Sequence, residues 1–400
     1  MKPKVVLAFS GGLDTSFCAR FLAVDEGMEV HTVIVNTGGF TDADLQRIED
    51  RAYACGAVTH TTIDAVQELY DRVLRWCIAG NVLKNGTYPL SVSAERIIQA
   101  LAIARFARSV GATYVAHGST GAGNDQVRFD LVFRIVCPEL VVLTPIRDRT
   151  LSREESIAYL QKHGVTGDWT KAAYSINQGL WGTTVGGRET LTSHEYVPES
   201  AWGLASQKGL DLSPQTLHLD FYQGHPVAIN GKSMSSVDVI RQLDRLASPY
   251  GIGRDIHVGD TIIGIKGRVA FQAAAALLII KAHHALEKHA LTKWQLQLKD
   301  QLSLWYGQLL HEGQYLEPVM RDIEAFFAST QQTVSGRVHI ELRDERFVIL
   351  GVTSDNDLMK SDVATYGEEN RAWTADDVRG YATIVSVSTR LHTALHGGAE

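Results

Sequence analysis

The sequence is poor in cysteine, and its few cysteines are far apart. The 400 residues contain only Cys18, Cys55, Cys77 and Cys137. None of them forms the C-x-x-C pair that is typical of a zinc site or a redox couple. We therefore expect reduced thiols, as in a cytoplasmic protein.

Excess positive charge and long apolar runs are also lacking. The formal net charge of -7 gives no electrostatic reason to expect a nucleic-acid partner, which needs a concentrated Lys/Arg face. The apolar stretch 269–282 is shorter than the roughly 20 residues of a membrane span, so it is predicted to be a buried helix. The run from Val5 to Ala8 is too short for a signal-peptide core. Small-molecule chemistry is the class of function that remains.

The first 165 or so residues alternate short β-branched runs with helical patterns. This alternation predicts a doubly wound α/β domain, in which crossover helices join parallel strands. The predicted strands are 5–8, 30–35, 58–63, 113–116 and 140–143, and the predicted helices are 14–23, 43–55, 65–78 and 94–110. Ligands of such sheets lie beyond the carboxyl ends of the strands, so the loops after Ala8, Val35 and Ala116 are expected to converge.

The composition changes after Gly164. Residues 168–200 are rich in Gly, Thr and Ser and are predicted to be a functional loop region that leads into a second domain. Alternating runs and a later helical pattern predict that this domain is mixed α+β. The predicted strands are 217–222, 227–229 and 262–265, the helical stretch reaches about residue 299, a hairpin covers 336–342 and 347–352, and a terminal helix covers 375–391.

A glycine-rich loop at residues 10–16 follows the first strand and opens a helix. Its sequence is Ser10, Gly11, Gly12, Leu13, Asp14, Thr15, Ser16. Unpaired backbone N–H groups at such a helix start bind anions, and the glycines allow phosphates to approach the backbone. Asp14 is suited to holding Mg²⁺ that bridges phosphates. The alternative interpretation is a Gly-Gly turn with helix caps.

A second glycine-rich run, residues 116–129, also follows a predicted strand. Asn124, Asp125 and Arg128 supply an amide, an anion and a cation, which suits the binding of an amino acid. The alternative is a glycine-rich turn with a solvated ion pair.

The first loop resembles the S-G-G-x-D-[ST]-S motif of the ATP pyrophosphatase superfamily, whose members cleave ATP between the α and β phosphates to form adenylates. The second run is very similar to the H-G-x-T-G-x-G-N-D-Q-V-R-F signature of argininosuccinate synthases, although Ala122 stands where many members have lysine. For ATP, the resemblance implies contacts from Ala8, Phe9, Ser10, Gly11, Gly12, Leu13, Asp14, Thr15, Ser16 and Gly118. For aspartate, it implies Thr120, Asn124 and Asp125. For citrulline, it implies Tyr88, Ser93, Asn124, Arg128, Ser175 and Thr184.

Three segments depart from the family patterns. Residues 94–96 read Ala-Glu-Arg in place of Ala-Arg-Pro, and Asn177 and Gly179 replace an acid and an amide. Gly259 and Phe271 replace a glutamate and a tyrosine that contact citrulline. Asp260 is a candidate to restore the lost carboxylate. Without that carboxylate, the part of the site that is expected to hold the α-amino group of citrulline is less polar. Such a site is suited to an N-acylated citrulline, an alternative substrate.

The resemblance implies that citrulline is joined to aspartate through citrullyl-AMP, with release of AMP and pyrophosphate. We predict catalytic roles for Asp14, Asp125 and Arg128, the use of ATP with Mg²⁺, no protein-bound metal and a cytoplasmic location. The resemblance also implies a homotetramer. The predicted domains are a nucleotide-binding domain (1–167), a synthetase and oligomerisation domain (168–370) and a helical tail (371–400).

Two other functions stay open at this point. One is another adenylating enzyme, such as a tRNA-modifying sulfur transferase, which the acidic charge and the missing cysteine pair disfavour. The other is a nucleotide-binding sensor without turnover. His283, His284 and His289 are predicted to lie on a polar helix surface and not to bind metal.

Overall fold

The computed structural model describes residues 2–121, 123–167, 169, 174–202, 212–360, 363–364, 367 and 371–397. Ala122 and the first residue of the predicted second domain, residue 168, lie outside this part. The N-terminal elements are β1 (Lys4–Ala8), α1 (Leu13–Val24), β2 (Glu29–Asn36), α2 (Asp42–Ala54), β3 (Thr59–Asp64), α3 (Val66–Leu69), α4 (Arg75–Ala79), α5 (Ser91–Ser109), β4 (Tyr114–Ala116), α6 (Asp125–Val136), β5 (Val141–Leu143), α7 (Pro145–Arg149) and α8 (Arg153–Lys162). A π-helical turn, Tyr70–Leu74, joins α3 to α4.

The first five strands form one parallel sheet in the order β3-β2-β1-β4-β5. All five were predicted, and the doubly wound α/β fold is confirmed. The strand order reverses between β1 and β4, and a crevice opens at such a switch point because the two following loops diverge. The carboxyl ends of β1 and β4 therefore flank the place where a ligand is expected.

Alternation along the strands separates two hydrophobic cores. Val5 and Leu7 of β1 belong to one core, with α1, α2 and α8, whereas Val6 belongs to the other, with α5. Successive side chains of a strand point to opposite faces, so a strand that is apolar at every position is buried on both. The second core continues into the rest of the chain, which ties the two parts together.

The remaining chain forms two antiparallel sheets covered by helices. Its elements are β6 (Ser175–Gly179), β7 (Gly182–Gly186), β8 (Gln215–Tyr222), β9 (His225–Ile229), β10 (Lys232–Ser233), α9 (Ser236–Ala247), β11 (Arg254–Asp260), β12 (Lys266–Gln272), α10 (Ala274–Ala290), α11 (Lys293–His311), α12 (Pro318–Gln331), β13 (Gly336–Arg343), β14 (Arg346–Thr353) and α13 (Ala375–His396). The sheet orders are β10-β9-β8-β13-β14 and β11-β12-β7-β6. The predicted hairpin (β13–β14) and terminal helix (α13) are confirmed.

Three predictions for this region were wrong. Residues 175–186, predicted as loop, form the β6–β7 hairpin. Residues 262–265, predicted as a strand, form the turn between β11 and β12, where Gly264 takes a φ of +85°. The start of the predicted helix 269–282 belongs to β12, because short apolar runs do not by themselves distinguish a strand from a helix.

The predicted polar surface at His283 was also wrong. This side chain is fully buried, and its ring nitrogens lie 2.7 Å from Asn81 Oδ1 and 2.7 Å from Gln331 Oε1. Glu287, one helical turn on, lies 3.0 Å from the buried Lys299. The histidine thus belongs to a buried polar network. Within the described part of the chain, no helix is long and apolar enough to cross a bilayer.

Candidate active site

The glycine-rich loop of residues 10–16, named the phosphate loop after the ligand that its sequence predicts, follows β1 and runs into the first turn of α1. Gly11 takes a φ of +73°, in the left-handed region that favours glycine. Gly12 is the N-cap of α1, and no side chain caps the helix start. The first N–H groups of α1 therefore have no side-chain acceptor, and the positive end of the helix dipole points to the loop. This is the arrangement of an anion site.

The loop after β4 packs directly on the phosphate loop. A Cβ at Gly118 would lie 3.2 Å from the backbone nitrogen of Thr15 and 3.3 Å from the carbonyl carbon of Asp14. The next side chain back, His117, is buried and its Nε2 lies 2.9 Å from Asp130. The small residue at position 118 lets the two loops approach, so both can contact one ligand.

The loop after β2 also lies beside the phosphate loop, and its backbone packs closely against β6. A Cβ at Gly39 would lie 1.8 Å from the carbonyl oxygen of Gln178 in β6. The Leu180 N–H donates to the Thr37 carbonyl at 3.0 Å. The β6–β7 hairpin is thereby held against the parallel sheet.

These loops enclose a cavity of about 670 Å³, as the strand order predicts. Its lining includes ten of the sequence-predicted site residues, which are Ala8, Phe9, Ser10, Gly12, Leu13, Asp14, Thr15, Gly118, Asp125 and Ser175. The other lining residues come from β2 and its loop, α2, α5, the loop after β4, α6 and β6. Burial raises the pKa of Asp14, with Arg153 opposing it.

A chain of polar contacts joins the cavity to predicted residues that do not line it. Asp125 accepts from Arg96 at 2.8 Å and from Arg128 at 3.1 Å. Arg96 also donates to Asn177 at 2.6 Å, and Asn177 donates to Thr184 at 3.5 Å. Burial alone would raise the pKa of Asp125, but the two guanidinium groups hold it below its ordinary value. The carboxylate is therefore ionised and fixed in position.

The predicted citrulline residue Tyr88 lies deeper than the cavity, in an aromatic corner. Its ring centroid lies 5.3 Å from that of Phe271 and 5.4 Å from that of His257. Phe271 pairs with Thr184 across β12 and β7. Ser93 is buried one turn into α5. The altered position 271 is thus part of the same corner as two predicted citrulline contacts.

His257 occupies the space beside Gly259. These residues are two apart on β11 and so face the same side. A Cβ at Gly259 would lie 2.7 Å from His257 Nε2. Burial lowers the pKa of His257, and Lys84 lowers it further, which favours the neutral imidazole. The corner therefore holds a neutral ring where the family pattern has a carboxylate.

Asp260 does not supply the missing carboxylate. Its side chain is exposed and lies 2.6 Å from Lys266, while its backbone carbonyl lies 3.0 Å from His311 Nε2. The candidate substitute acid is thus engaged elsewhere.

Two predicted residues lie at the edge of this arrangement. Thr120 is exposed and does not line the cavity. Asn124 is the N-cap of α6, and its Oδ1 accepts from the Ile262 N–H at 2.8 Å. This contact ties the second loop to the β11–β12 turn.

Sequence reasoning missed Glu95 and His257. Glu95 is 2% exposed, lines the cavity and has an Oε1 without a hydrogen-bond partner among the described residues. A Cβ at Gly179 would lie 1.7 Å from that oxygen. The signal was present, since Glu95 and Gly179 both depart from the family pattern, but only the fold shows that they touch.

A parallel sheet with a phosphate loop at its switch point, closed by a second domain, defines a nucleotide-binding enzyme of the HUP class. Comparison with known proteins agrees. Residues 4–166 match the N-terminal HUP domain of argininosuccinate synthases, and residues 174–392 match their C-terminal domain.

Full-length relatives make the assignment specific. The argininosuccinate synthase of Staphylococcus aureus is 36% identical over 402 residues, covering 100% of this chain and 99% of that protein. That of Xanthomonas campestris is 35% identical over 397 residues, covering 98% of each. That of Methanocaldococcus jannaschii is 34% identical over 369 residues, covering 92% and 93%. The chain belongs to the argininosuccinate synthase family.

Proposed function

We propose that this chain is an ATP-dependent ligase that joins citrulline to aspartate and releases AMP and pyrophosphate. The observation that carries the proposal is the single cavity in which the phosphate loop, Asp125 and Ser175 meet. Its two ends suit different ligands, since one offers backbone N–H groups to phosphates and the other offers a fixed ion-pair array to amino acids. The full-length similarity to argininosuccinate synthases supports the same function.

The residues at the phosphate loop fit Mg²⁺ bound with the nucleotide. Asp14 and the hydroxyls of Ser10 and Thr15 line the cavity as oxygen donors. Protein sites for Mg²⁺ commonly use one or two carboxylates together with substrate phosphates. No group of three or more His, Cys, Asp or Glu side chains in the described part could hold a metal alone. When bound, Mg²⁺ would neutralise charge on the leaving pyrophosphate.

In the first step, the ureido oxygen of citrulline attacks the α-phosphate of ATP, and the bond to pyrophosphate breaks. The phosphate loop stabilises the charge that develops on the phosphates. Asp125, with Arg96 and Arg128, orients the amino acids, because holding the reactants in line supplies much of the rate enhancement. In the second step, the aspartate amine forms the new carbon–nitrogen bond and AMP leaves with the electron pair of the carbon–oxygen bond.

No observation favours the two competing functions. A sulfur transferase needs an accessible thiol, but all four cysteines are buried and none of them lines the cavity. A sensor that only binds a nucleotide would not need the ion pairs of Asp125 with Arg96 and Arg128. The buried, unpaired thiols are compatible with a reducing compartment such as the cytoplasm.

A homotetrameric assembly is supported by the exposed helix α13. Apolar residues recur every three or four positions along its 22 residues. They are Val378, Tyr381, Ile384, Val387, Leu391 and Leu395, each 46–80% exposed. Such a stripe is expected to be covered by other copies of the chain. Light scattering measures the molar mass of the intact chain and of Ile384→Asp. An unchanged mass for the variant would mean that α13 is not part of the subunit interface.

Steady-state turnover tests the activity. With ATP and Mg²⁺, formation of pyrophosphate, AMP and argininosuccinate should be equimolar and should need both citrulline and aspartate. Nucleotide binding without any product would support the sensor instead.

A further inference from the structure

Glu95 is a buried carboxylate that has no role in the two reaction steps proposed above. It lies on α5 and is 2% exposed, yet it lines the cavity that holds the phosphate loop. A buried polar atom without a partner is costly and is commonly reserved for a ligand or for catalysis. Its Oε1 is such an atom among the described residues.

The surroundings of Glu95 are built to accommodate the carboxylate. Its Oε1 would lie only 1.7 Å from a Cβ at position 179, so the glycine there leaves room that no other residue would leave. The next residue, Arg96, donates its hydrogen bonds to Asp125, Gln99 and Asn177. The hydrogen bonds of Arg96 therefore go to acceptors other than Glu95.

Glu95 shares the cavity with groups proposed for both amino acids. Asp125, proposed for aspartate, and Ser175, proposed for citrulline, line the same cavity as Glu95. The carboxylate is therefore available to a substrate that is held in this cavity.

We propose that Glu95 is the general base of the ligation step. As the aspartate nitrogen attacks the adenylated carbon in its amine form, the carbon–nitrogen bond forms and the carbon–oxygen bond to AMP breaks. AMP keeps that electron pair. The nitrogen passes one proton to Glu95, which later releases it to solvent. This inference rests on the proposed ligase function and assigns a proton acceptor within it.

The charge environment suits a base at neutral pH. Burial raises the pKa of Glu95 to about 7, with Arg96 opposing and Asp125 reinforcing the rise. The Thr37 hydroxyl of the neighbouring loop lowers the pKa of Glu95 and so favours the charged form of the carboxylate. Tyr88 is a further titratable group nearby, and the charge of Glu95 contributes to raising the pKa of Tyr88. A base is most effective when its pKa is close to the working pH.

The test separates the two half-reactions in the full-length enzyme with Glu95→Gln. Exchange of labelled pyrophosphate into ATP with citrulline alone reports adenylation and should stay within about threefold of the wild type. Argininosuccinate formation should fall about 10²- to 10⁴-fold, the usual contribution of a general base. The wild-type kcat should fall below a pH of about 7, and this limb should be absent in the variant.

Glu324→Gln is the matched control. Glu324 is another buried glutamate whose pKa burial raises, but it accepts from Tyr306 and Arg321, away from the cavity. Its variant should keep the wild-type pH profile. Equal loss of both half-reactions in Glu95→Gln, or loss of neither, overturns the assignment while the ligase function stands. A wild-type enzyme that makes no argininosuccinate overturns both.

Discussion

The two ends of the cavity are built by different means. At the phosphate end, the proposed binding groups are backbone N–H groups of one continuous segment, residues 10–16, and that segment matches its motif throughout. At the amino-acid end, side chains come from α5, α6, β6, β7 and β12, and most departures from the family pattern lie there. A site made from local backbone is preserved or lost as a unit, whereas a site made from distant side chains can be rebuilt by compensating changes.

The compensations are pairwise contacts. Glu95 needs Gly179, and Arg96 takes Asn177 as a partner in addition to Asp125. His257 fills the space beside Gly259. The following predictions test whether the phosphate end is essential as a unit and whether the amino-acid end is a set of such pairs.

The largest effect is expected for Asp14→Ala at the phosphate end. Loss of the carboxylate removes its proposed contact with Mg²⁺, and pyrophosphate formation should fall by about 10³-fold, similar to the loss of one strong transition-state contact. The measurement is the rate of pyrophosphate release at saturating concentrations of all three substrates. Asp42→Ala is the control. It removes an exposed aspartate from the first turn of α2 and should leave the rate of pyrophosphate formation unchanged. Normal turnover in folded Asp14→Ala would exclude the loop from the mechanism.

A more selective effect is expected for Asp125→Asn. Asp125 is held by two guanidinium groups, and weakening an ionic hydrogen bond costs about 1.5–3 kcal/mol. The KM for aspartate should rise about 10- to 100-fold by that estimate, while the KM for ATP changes little. Initial rates measured while each substrate is varied decide this. Equal increases for both substrates would mean that Asp125 serves the nucleotide or its metal.

The third prediction concerns the pair formed by Glu95 and Gly179. Gly179→Ala places a methyl group against the carboxylate, and such overpacking costs about 1–3 kcal/mol of unfolding free energy. The free energy of unfolding is measured by denaturant titration. The loss caused by Gly179→Ala should be much smaller when it is introduced into Glu95→Ala than when it is introduced into the wild type. Additive losses would mean that the two positions do not interact.

The smallest effect is expected at the corner of His257 and Gly259. Because Gly259 lacks a carboxylate and Asp260 pairs with Lys266, the ratio of kcat/KM for citrulline over N-acetylcitrulline should be within about tenfold, or ~1.4 kcal/mol. Gly259→Glu alone should damage the enzyme because the side chain meets His257. The double variant Gly259→Glu with His257→Val should restore turnover and favour free citrulline more strongly. A wild-type preference well above 100-fold would refute this view of the corner.

The same contrast explains what the sequence could predict. The five strands of the parallel sheet and the phosphate loop depend on local patterns, and these were predicted. The β6–β7 hairpin was missed because its residues carry glycine and threonine without a clear alternation, and its partners are β12 and the loop after β2. The sequence marks Glu95 only as a departure from the family pattern, because its contact with Gly179, which is distant in sequence, depends on the fold. His257 belonged to no motif at all.

The fate of the ureido oxygen tests the account most directly. The enzyme would be incubated with ATP, aspartate and citrulline labelled with ¹⁸O in the ureido group, and the products would be examined by mass spectrometry. Attack of that oxygen on the α-phosphate predicts one ¹⁸O atom in AMP and none in pyrophosphate. Unlabelled AMP, or label in pyrophosphate, would contradict the adenylation mechanism.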